Sequence, residues 1–227
     1  MDQKIDASYD LIELEDISLF ENLKKESFSG LSVTIPFKES IIPYLDELDN
    51  SAAEVGAVNA VYFHNNKAIG YNTDVIGFAI SLSKLLINKG IVENALVLGT
   101  GGAAKAVMFA LDKLNINYTN VSRNPQNGQI SYTDIDKKIM AEHKLIVNCT
   151  PLGMYPNIDT FPQIPYAEID DSHILFDLVY NPAETVFLQK GKEKGATISN
   201  GLEMLNLQAL AAWELWNEMA ETKILQA

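Results

Sequence analysis

The chain has 227 residues, 47% of them apolar, with 17 basic against 30 acidic side chains and a formal charge of −13. That apolar share suffices for a sizeable core and argues against disorder, and the length allows one large or two small domains. An acidic surface without a run of lysine or arginine disfavours nucleic acid and anionic membranes, so an anionic ligand must be held by helix N-termini or single basic residues.

The opening stretch, MDQKIDASYD, has no apolar run after a basic one and does not read as a signal peptide. No stretch reaches the roughly 20 apolar residues that span a bilayer. The single cysteine, Cys149, cannot form an internal disulfide, which fits a reducing compartment. A soluble cytoplasmic protein is expected.

In chain order, the apolar pattern predicts strands over Ala7–Leu14, Leu31–Ile35, Val58–Phe63, Ala68–Tyr71, Ala95–Leu98, Tyr118–Val121, Leu145–Asn148, Ile174–Leu178 and Thr197–Ile198. Helices are predicted over Leu19–Lys25, Glu39–Leu48, Val75–Asn88, Ala103–Leu114, Ile135–Glu142, Glu184–Lys194 and Leu202–Met219. This alternation argues for an α/β fold with largely parallel sheets. Asn65-Asn66 between two strand-like runs reads as a hairpin turn. The best domain boundary follows the helix Val75–Asn88, where Gly90 is a helix stop. In the last helix Leu202, Leu205, Ala209, Ala212, Trp213 and Trp216 recur at three- and four-residue spacing, so it is expected to pack back on the first domain. The expected division is a discontinuous α/β substrate domain, 1–80 with 203–227, and a Rossmann-type domain, 81–202.

The strongest local signal is NALVLGTGGAAKAVMFAL, residues 94–111. A short apolar strand runs into Gly99-Thr100-Gly101-Gly102-Ala103-Ala104, and a helix follows. Gly99 allows the tight turn, Gly101 lets the backbone approach a pyrophosphate, and Ala104 permits close packing of helix on strand. Phosphates would sit at the helix N-terminus, where free N–H groups and the dipole favour negative charge. A glycine turn without a ligand is the plainer alternative. An NAD site usually has Asp or Glu about 20 residues past the first glycine. Here VSRN offers Ser122 and Arg123 and no acid, and an arginine can pair with a 2′-phosphate, so NADP is favoured.

Several other stretches stand in order along the chain: LSVTIPFKES, EVGAVNAV, GYNTDVIGF, NCTPLGM, DLVYNP and GLEMLNLQA. Together with GTGGAAKAV and VSRN they closely resemble the shikimate dehydrogenase family, over nearly the whole chain from about residue 6. The resemblance implies two α/β domains with the site between them, and NADP-dependent interconversion of 3-dehydroshikimate and shikimate in aromatic amino-acid biosynthesis. It implies that Lys38 is the catalytic lysine and Asp74 its partner. It implies substrate contacts from Thr34, Asn59, Gln208 and Tyr180, and from Ser32, which stands where many members have asparagine. It places Gly99, Gly101, Gly102, Ala103, Ser122 and Arg123 at the cofactor, with Thr150 and Met204 nearby.

The chemistry suits these residue types. Reducing a ketone needs a hydride on carbon and a proton on the developing alkoxide, and an ammonium can stabilise that oxygen and supply the proton. Neutral hydrogen-bonding groups suit a polyhydroxylated ring, and their cost when unpaired provides specificity. From spacing alone, Lys38 reads as a solvated first-turn residue, Asp74 as a helix-capping or first-turn acid, and Gln208 as a polar surface group. Asn59 inside an apolar strand must find partners or face a cavity. His64, His143 and His173 show no metal-ligand spacing and read as surface or loop histidines, so no metal is expected. Cys149 reads as a small buried residue, and Trp213 and Trp216 as core.

One part departs from the family. Members open with a strand and a loop carrying an S-x-S pattern that binds the substrate carboxylate, whereas KIDASYDLIEL matches the family's second strand almost at once. Three outcomes stand open: Ala7–Leu14 fills the gap, another chain covers the exposed edge, or the sequence is a piece of a longer protein. Without those serines substrate affinity is expected to fall. The rival readings are therefore a catalytically impaired NADP-binding protein and a quinate/shikimate dehydrogenase using NAD, the latter disfavoured by Arg123. The expected partner is a small-molecule substrate, and the assembly a monomer or homodimer.

Overall fold

The computed structural model of the chain describes residues 7–87 and 89–226, with side chains through Asn217. The predicted helix end at Asn88 lies outside the described residues. Helix α1 (Phe20–Leu23) leads to strand β1 (Gly30–Ser32). A turn region, β2 (Glu47–Leu48) and helix α2 (Asn50–Val55) follow, and then the hairpin β3 (Ala60–His64) and β4 (Lys67–Tyr71). These strands form a four-stranded mixed sheet in the order β1-β3-β4-β2. The hairpin closes on Asn65 and Asn66 with φ of 49° and 61°. Paired positive φ values are what a two-residue turn between right-twisted strands requires, and asparagine tolerates them. Phe20, Ile41, Ala52, Val58, Val61 and Ala68 form the core of this sheet.

Helix α3 (Asp74–Leu86) leads into the second sheet. Its elements are β5 (Asn94–Leu98), α4 (Gly102–Lys113), β6 (Asn117–Ser122), β7 (Gln129–Ser131), α5 (Lys137–Glu142), β8 (Leu145–Asn148), β9 (Ile174–Asp177), α6 (Val186–Glu193), β10 (Thr197–Ser199) and the long α7 (Leu202–Gln226). Six parallel strands take the order β10-β9-β8-β5-β6-β7. Strands β5, β8 and β9 are near-continuous apolar runs because both faces are covered. One face packs on α3, α4 and α7 through Phe78, Leu82, Val107, Leu111 and Met204, and the other on α5 and α6 through Met140, Phe187 and Leu188. This is the doubly wound Rossmann order. It reverses between β5 and β8, and ligands of such sheets bind beyond the strand ends at that reversal.

Helix α7 touches both sheets. Met204 joins the core of the parallel sheet, while Trp216 Nε1 donates to the Val61 carbonyl at 3.1 Å and lies where a side chain on Gly30 would stand. Among the described residues no helix is long and apolar enough to cross a membrane.

Some predicted elements are absent. Ala7–Leu14 is not a strand: it pairs with no described residue, and Tyr9 and Leu11 are 70% and 95% exposed. Alternation alone does not make a strand without a ladder partner. Glu39–Leu48 is not a helix but a run of turns, a single 3₁₀ turn (Ile42–Tyr44) and β2. Pro43 suits the start of a short turn but not a helix interior, and hydrogen bonds from Asp46 N to Ala68 O and from Asp49 N to Gly70 O draw the chain along β4. The helix forms one step later, where Asp49 caps Ser51 N and Ala52 N and Gly56, at φ 68°, stops it. Strand β7 was not predicted. His143 and His173 lie in loops, as one of the two expected placements has them, but they are buried and not at the surface. His173 sits between the Met140 carbonyl (3.0 Å) and Asp170 (2.7 Å), and His143 between Thr119 Oγ1 (2.9 Å) and the Ile139 carbonyl (2.8 Å), so both satisfy local polar groups.

Candidate active site

Lys38 lies in the turn that follows β1. Its position is set by backbone bonds: Phe37 N to Thr34 O at 2.9 Å, Val58 N to Lys38 O at 2.7 Å, and Val33 N to Asn59 O at 2.8 Å. Its ammonium reaches Asp74 Oδ2 at 2.6 Å, with the two side chains only 16% and 5% exposed. Asp74 is the first residue of α3, where the helix dipole favours a carboxylate. It does not cap the helix; its oxygens serve Lys38 and Asn59. Losing one partner of a pair this enclosed strands the other, at a cost of about 3–5 kcal/mol when burial is complete and less here.

Asn59 is the centre of the cluster. Its Oδ1 accepts from Thr73 N at 2.6 Å, and its Nδ2 lies 2.9 Å from Thr73 Oγ1, 3.0 Å from Asp74 Oδ1 and 3.1 Å from Gln208 Oε1. The Thr73 hydroxyl donates on to the Gln208 carbonyl at 3.0 Å. Gln208 can come this close because Gly77 lets α7 press on α3. Lys38, Asn59, Asp74 and Gln208 thus come from four separate stretches into one hydrogen-bonded group. Among the described residues Lys38 donates to Asp74 alone, which leaves ammonium protons for a ligand.

The glycine loop adjoins this group. A side chain on Gly102 would meet Lys38 Cβ at 3.0 Å and Ala57 Cβ at 3.2 Å, so the N-terminus of α4 stands directly against the lysine. Gly99 has φ of 115°, a conformation that favours glycine, and a side chain there would stand only 3.2 Å from Thr150 Cγ2 and 3.3 Å from the Cys149 backbone. At Gly101, the N-cap, the space is open and no side chain occupies the helix N-terminus. Ala103 follows in the first turn of α4. The loop is braced by Asn120, whose Nδ2 donates to Gly99 O at 2.6 Å and Val97 O at 3.1 Å.

At the end of β6, Ser122 is buried and its hydroxyl accepts from Asn124 N at 3.1 Å. Arg123, the only arginine in the sequence, is exposed and makes no ion pair or hydrogen bond with the described residues. Free helix N–H groups, an open glycine cradle and an uncommitted guanidinium fit a dinucleotide with an added phosphate. Thr150 follows β8, and Met204 is buried in the first turn of α7. Ser32 and Thr34 are exposed on the segment that carries Lys38. Tyr180, 46% exposed in the loop after β9, is not bonded to the Lys38 group.

Sequence reasoning missed a second polar group. Asn148 and Asp177 end neighbouring strands and are wholly buried. Burial pushes the Asp177 carboxyl up to about 6, against the opposing pull of hydrogen bonds from Thr185, Val179 N and Asn148. Burial and the nearby Asp177 charge also push the Cys149 thiol up, which disfavours a thiolate nucleophile. The available signal was a polar residue closing an apolar strand in NCTP and in DLVYNP. Among the described residues no group of histidine, cysteine and carboxylate side chains is arranged to hold a metal.

The profile of the shikimate dehydrogenase substrate binding domain matches residues 1–61. Over 209 residues the chain is 41% identical to the shikimate dehydrogenase (NADP(+)) of Methanococcus aeolicus, covering 85% of this chain and 74% of that protein. The chain belongs to the shikimate dehydrogenase family. Solved members of the family share its fold. The shikimate dehydrogenase of Aquifex aeolicus superposes with a TM-score of 0.78 at 38% identity, over 88% of this chain and 76% of that one. The Thermus thermophilus enzyme, solved in complex with NADP(H) and shikimate, superposes with a TM-score of 0.75 at 32% identity, over 88% and 77% of the two chains.

Proposed function

We propose that this chain catalyses the NADP-dependent, reversible reduction of 3-dehydroshikimate to shikimate. The observation that carries the reading is the Lys38–Asp74 pair at 2.6 Å, packed against Gly102 at the start of the helix that follows the glycine loop. When bound, NADPH supplies the hydride. Lys38 places its ammonium on the carbonyl oxygen, stabilises the charge that develops there and gives up a proton. Asp74 holds the lysine in place and accepts a hydrogen bond from a neighbouring substrate hydroxyl. In the reverse direction the neutral amine receives the proton. Its partial exposure (16%) lets it exchange that proton with solvent.

Asn59, Gln208, Thr34 and Ser32 line the substrate side, and Tyr180 approaches from across the cleft. The first four residues of that set lie in or beside the four-stranded sheet and α7, which supports a substrate domain of 1–80 with 203–227. The cofactor domain is 81–202, where Gly99, Gly101, Gly102 and Ala103 take the pyrophosphate and Ser122 and Arg123 the adenosine end. Thr150 and Met204 flank the nicotinamide. The low cysteine content and acidic surface suit work in the cytoplasm on a free metabolite.

The test is turnover by the purified chain. NADP reduction should require shikimate and be faster with NADP than with NAD, and NADP should bind without substrate. NADP binding with no turnover at any shikimate concentration would overturn the catalytic reading in favour of a cofactor-binding protein. Faster turnover of quinate with NAD would overturn the substrate and cofactor assignment.

A further inference from the structure

We infer that Asp177 is a positioning residue whose two carboxylate oxygens tie together the loops 149–153 and 178–185, which carry Thr150 and Tyr180 to either side of the cleft. The inference rests on the proposed function in one respect: Thr150 serves the cofactor and Tyr180 the substrate.

The geometry is that of a clamp. Asn148 and Asp177 are register partners at the last rung of β8 and β9. Asp177 Oδ1 accepts from Asn148 Nδ2 at 2.9 Å and from Val179 N at 3.0 Å, while Oδ2 accepts from Thr185 Oγ1 at 2.5 Å. Asn148 passes the constraint into the first loop, because its Oδ1 accepts from Thr150 N at 3.1 Å and Thr150 Oγ1 at 2.6 Å. Thr185 closes the second loop and caps α6. The loops also touch: Gly153, at φ 89°, has its missing side chain 3.2 Å from Thr185 Cβ.

Asn148, Asp177 and Thr185 are each at most 1% exposed. The fold therefore tolerates a carboxyl group with a raised pKa in its interior. A carboxylate can accept all three donors at once, on two oxygens. The node sits at the strand ends beside the order reversal, where the ligands of such sheets bind. A buried polar network so fully satisfied fixes one loop arrangement where an apolar core would permit several.

The two arms predict different kinetic signatures. Thr185→Val cuts the Oδ2 arm and should raise the shikimate KM on the order of tenfold with NADP affinity within about twofold. Asn148→Ala cuts the Thr150 arm and should lower kcat and weaken NADP on the order of tenfold, with less effect on the shikimate KM. Asp177→Ala should do both. Asp177→Asn should retain most activity, because its amide oxygen keeps the two donors and its NH₂ can donate to the Thr185 hydroxyl. Leu111→Ala, a core substitution on the buried face of α4, controls for lost stability: it should lower Tm without changing either KM.

Amide hydrogen exchange supplies a readout that needs no turnover. Asp177→Ala should speed exchange within 149–153 and 178–185 beyond what Leu111→Ala does. If the wild-type chain turns nothing over, the proposed function fails, and the exchange pattern and NADP affinity still decide the clamp. Asp177→Ala with unchanged exchange in both loops overturns the inference. So do kinetic losses that merely follow the folded fraction, as in Leu111→Ala.

Discussion

Gly77→Ala sets two known effects against each other in the helix pair that builds the site. A Cβ at position 77 would stand 2.6 Å from the Met204 carbonyl oxygen, 3.0 Å from Gln208 Cβ and 3.1 Å from Gln208 N. Carbon–oxygen contacts relax at about 3.3 Å, so α7 must withdraw by roughly 0.7 Å, and the obstructing atoms are mostly backbone that cannot swing aside. Alanine gains up to about 1 kcal/mol over glycine in a helix interior, whereas overpacking costs about 1–3 kcal/mol, so a net loss of around 1 kcal/mol is expected. Function should suffer more than stability. A retreat of that size takes Gln208 Oε1, now 3.1 Å from Asn59 Nδ2, out of hydrogen-bonding range. The shikimate KM should rise on the order of tenfold, more than NADP binding weakens. Thermal melts, shikimate kinetics and NADP titration of the one variant measure all three quantities. A higher Tm with an unchanged shikimate KM would refute the packing argument, since propensity would then have won.

Three further outcomes follow from the same geometry. Asp74→Asn keeps the shape but removes the charge that holds Lys38, so kcat should fall on the order of 10- to 100-fold with NADP affinity intact, as steady-state kinetics and titration would reveal. Arg123→Ala should raise the NADP KM by about 10- to 100-fold, the worth of a charge-assisted hydrogen bond, and leave the NAD KM unchanged; equal losses for both cofactors would remove Arg123 from the 2′-phosphate. Asp177 predicts a pH effect on stability. Its folded pKa of about 6 lies above the ordinary 3.8, so the fold prefers the protonated acid. That contribution is complete below about pH 4 and is lost as pH rises through about 6, by at most about 3 kcal/mol. Denaturant unfolding of wild type and Asp177→Asn across this range should therefore show wild type losing ground as pH rises, and a pH-independent difference would contradict it.

The parallel sheet was readable because its signals are local. Strands β5, β8 and β9 are apolar runs of four or five residues, and the glycine loop carries its own geometry in Gly99 and Gly101. The first sheet was harder. Its strand β2 has two residues and exists only through pairing with β4, so the apolar spacing of Glu39–Leu48 suggests a helix that Pro43 and the Asp49 cap oppose. Ala7–Leu14 alternates well, yet no described strand lies beside it. The site was least accessible to spacing arguments. Lys38 and Asp74 are 36 positions apart and Asn59 and Gln208 149 apart, and only the family resemblance marked them before the fold joined them. Asn148 and Asp177 escaped notice, and the burial of His173 was not foreseen, because burial, which changes the meaning of a polar residue, is a property of the folded chain.

In the proposed mechanism Lys38 handles the proton of the reaction. The most direct measurement is NADP reduction by shikimate with wild type and Lys38→Ala, alongside NADP binding by both. The kcat of Lys38→Ala should fall by about 10²- to 10⁴-fold while NADP binds as tightly as before; wild-type turnover in this variant would remove Lys38 from the proton transfer.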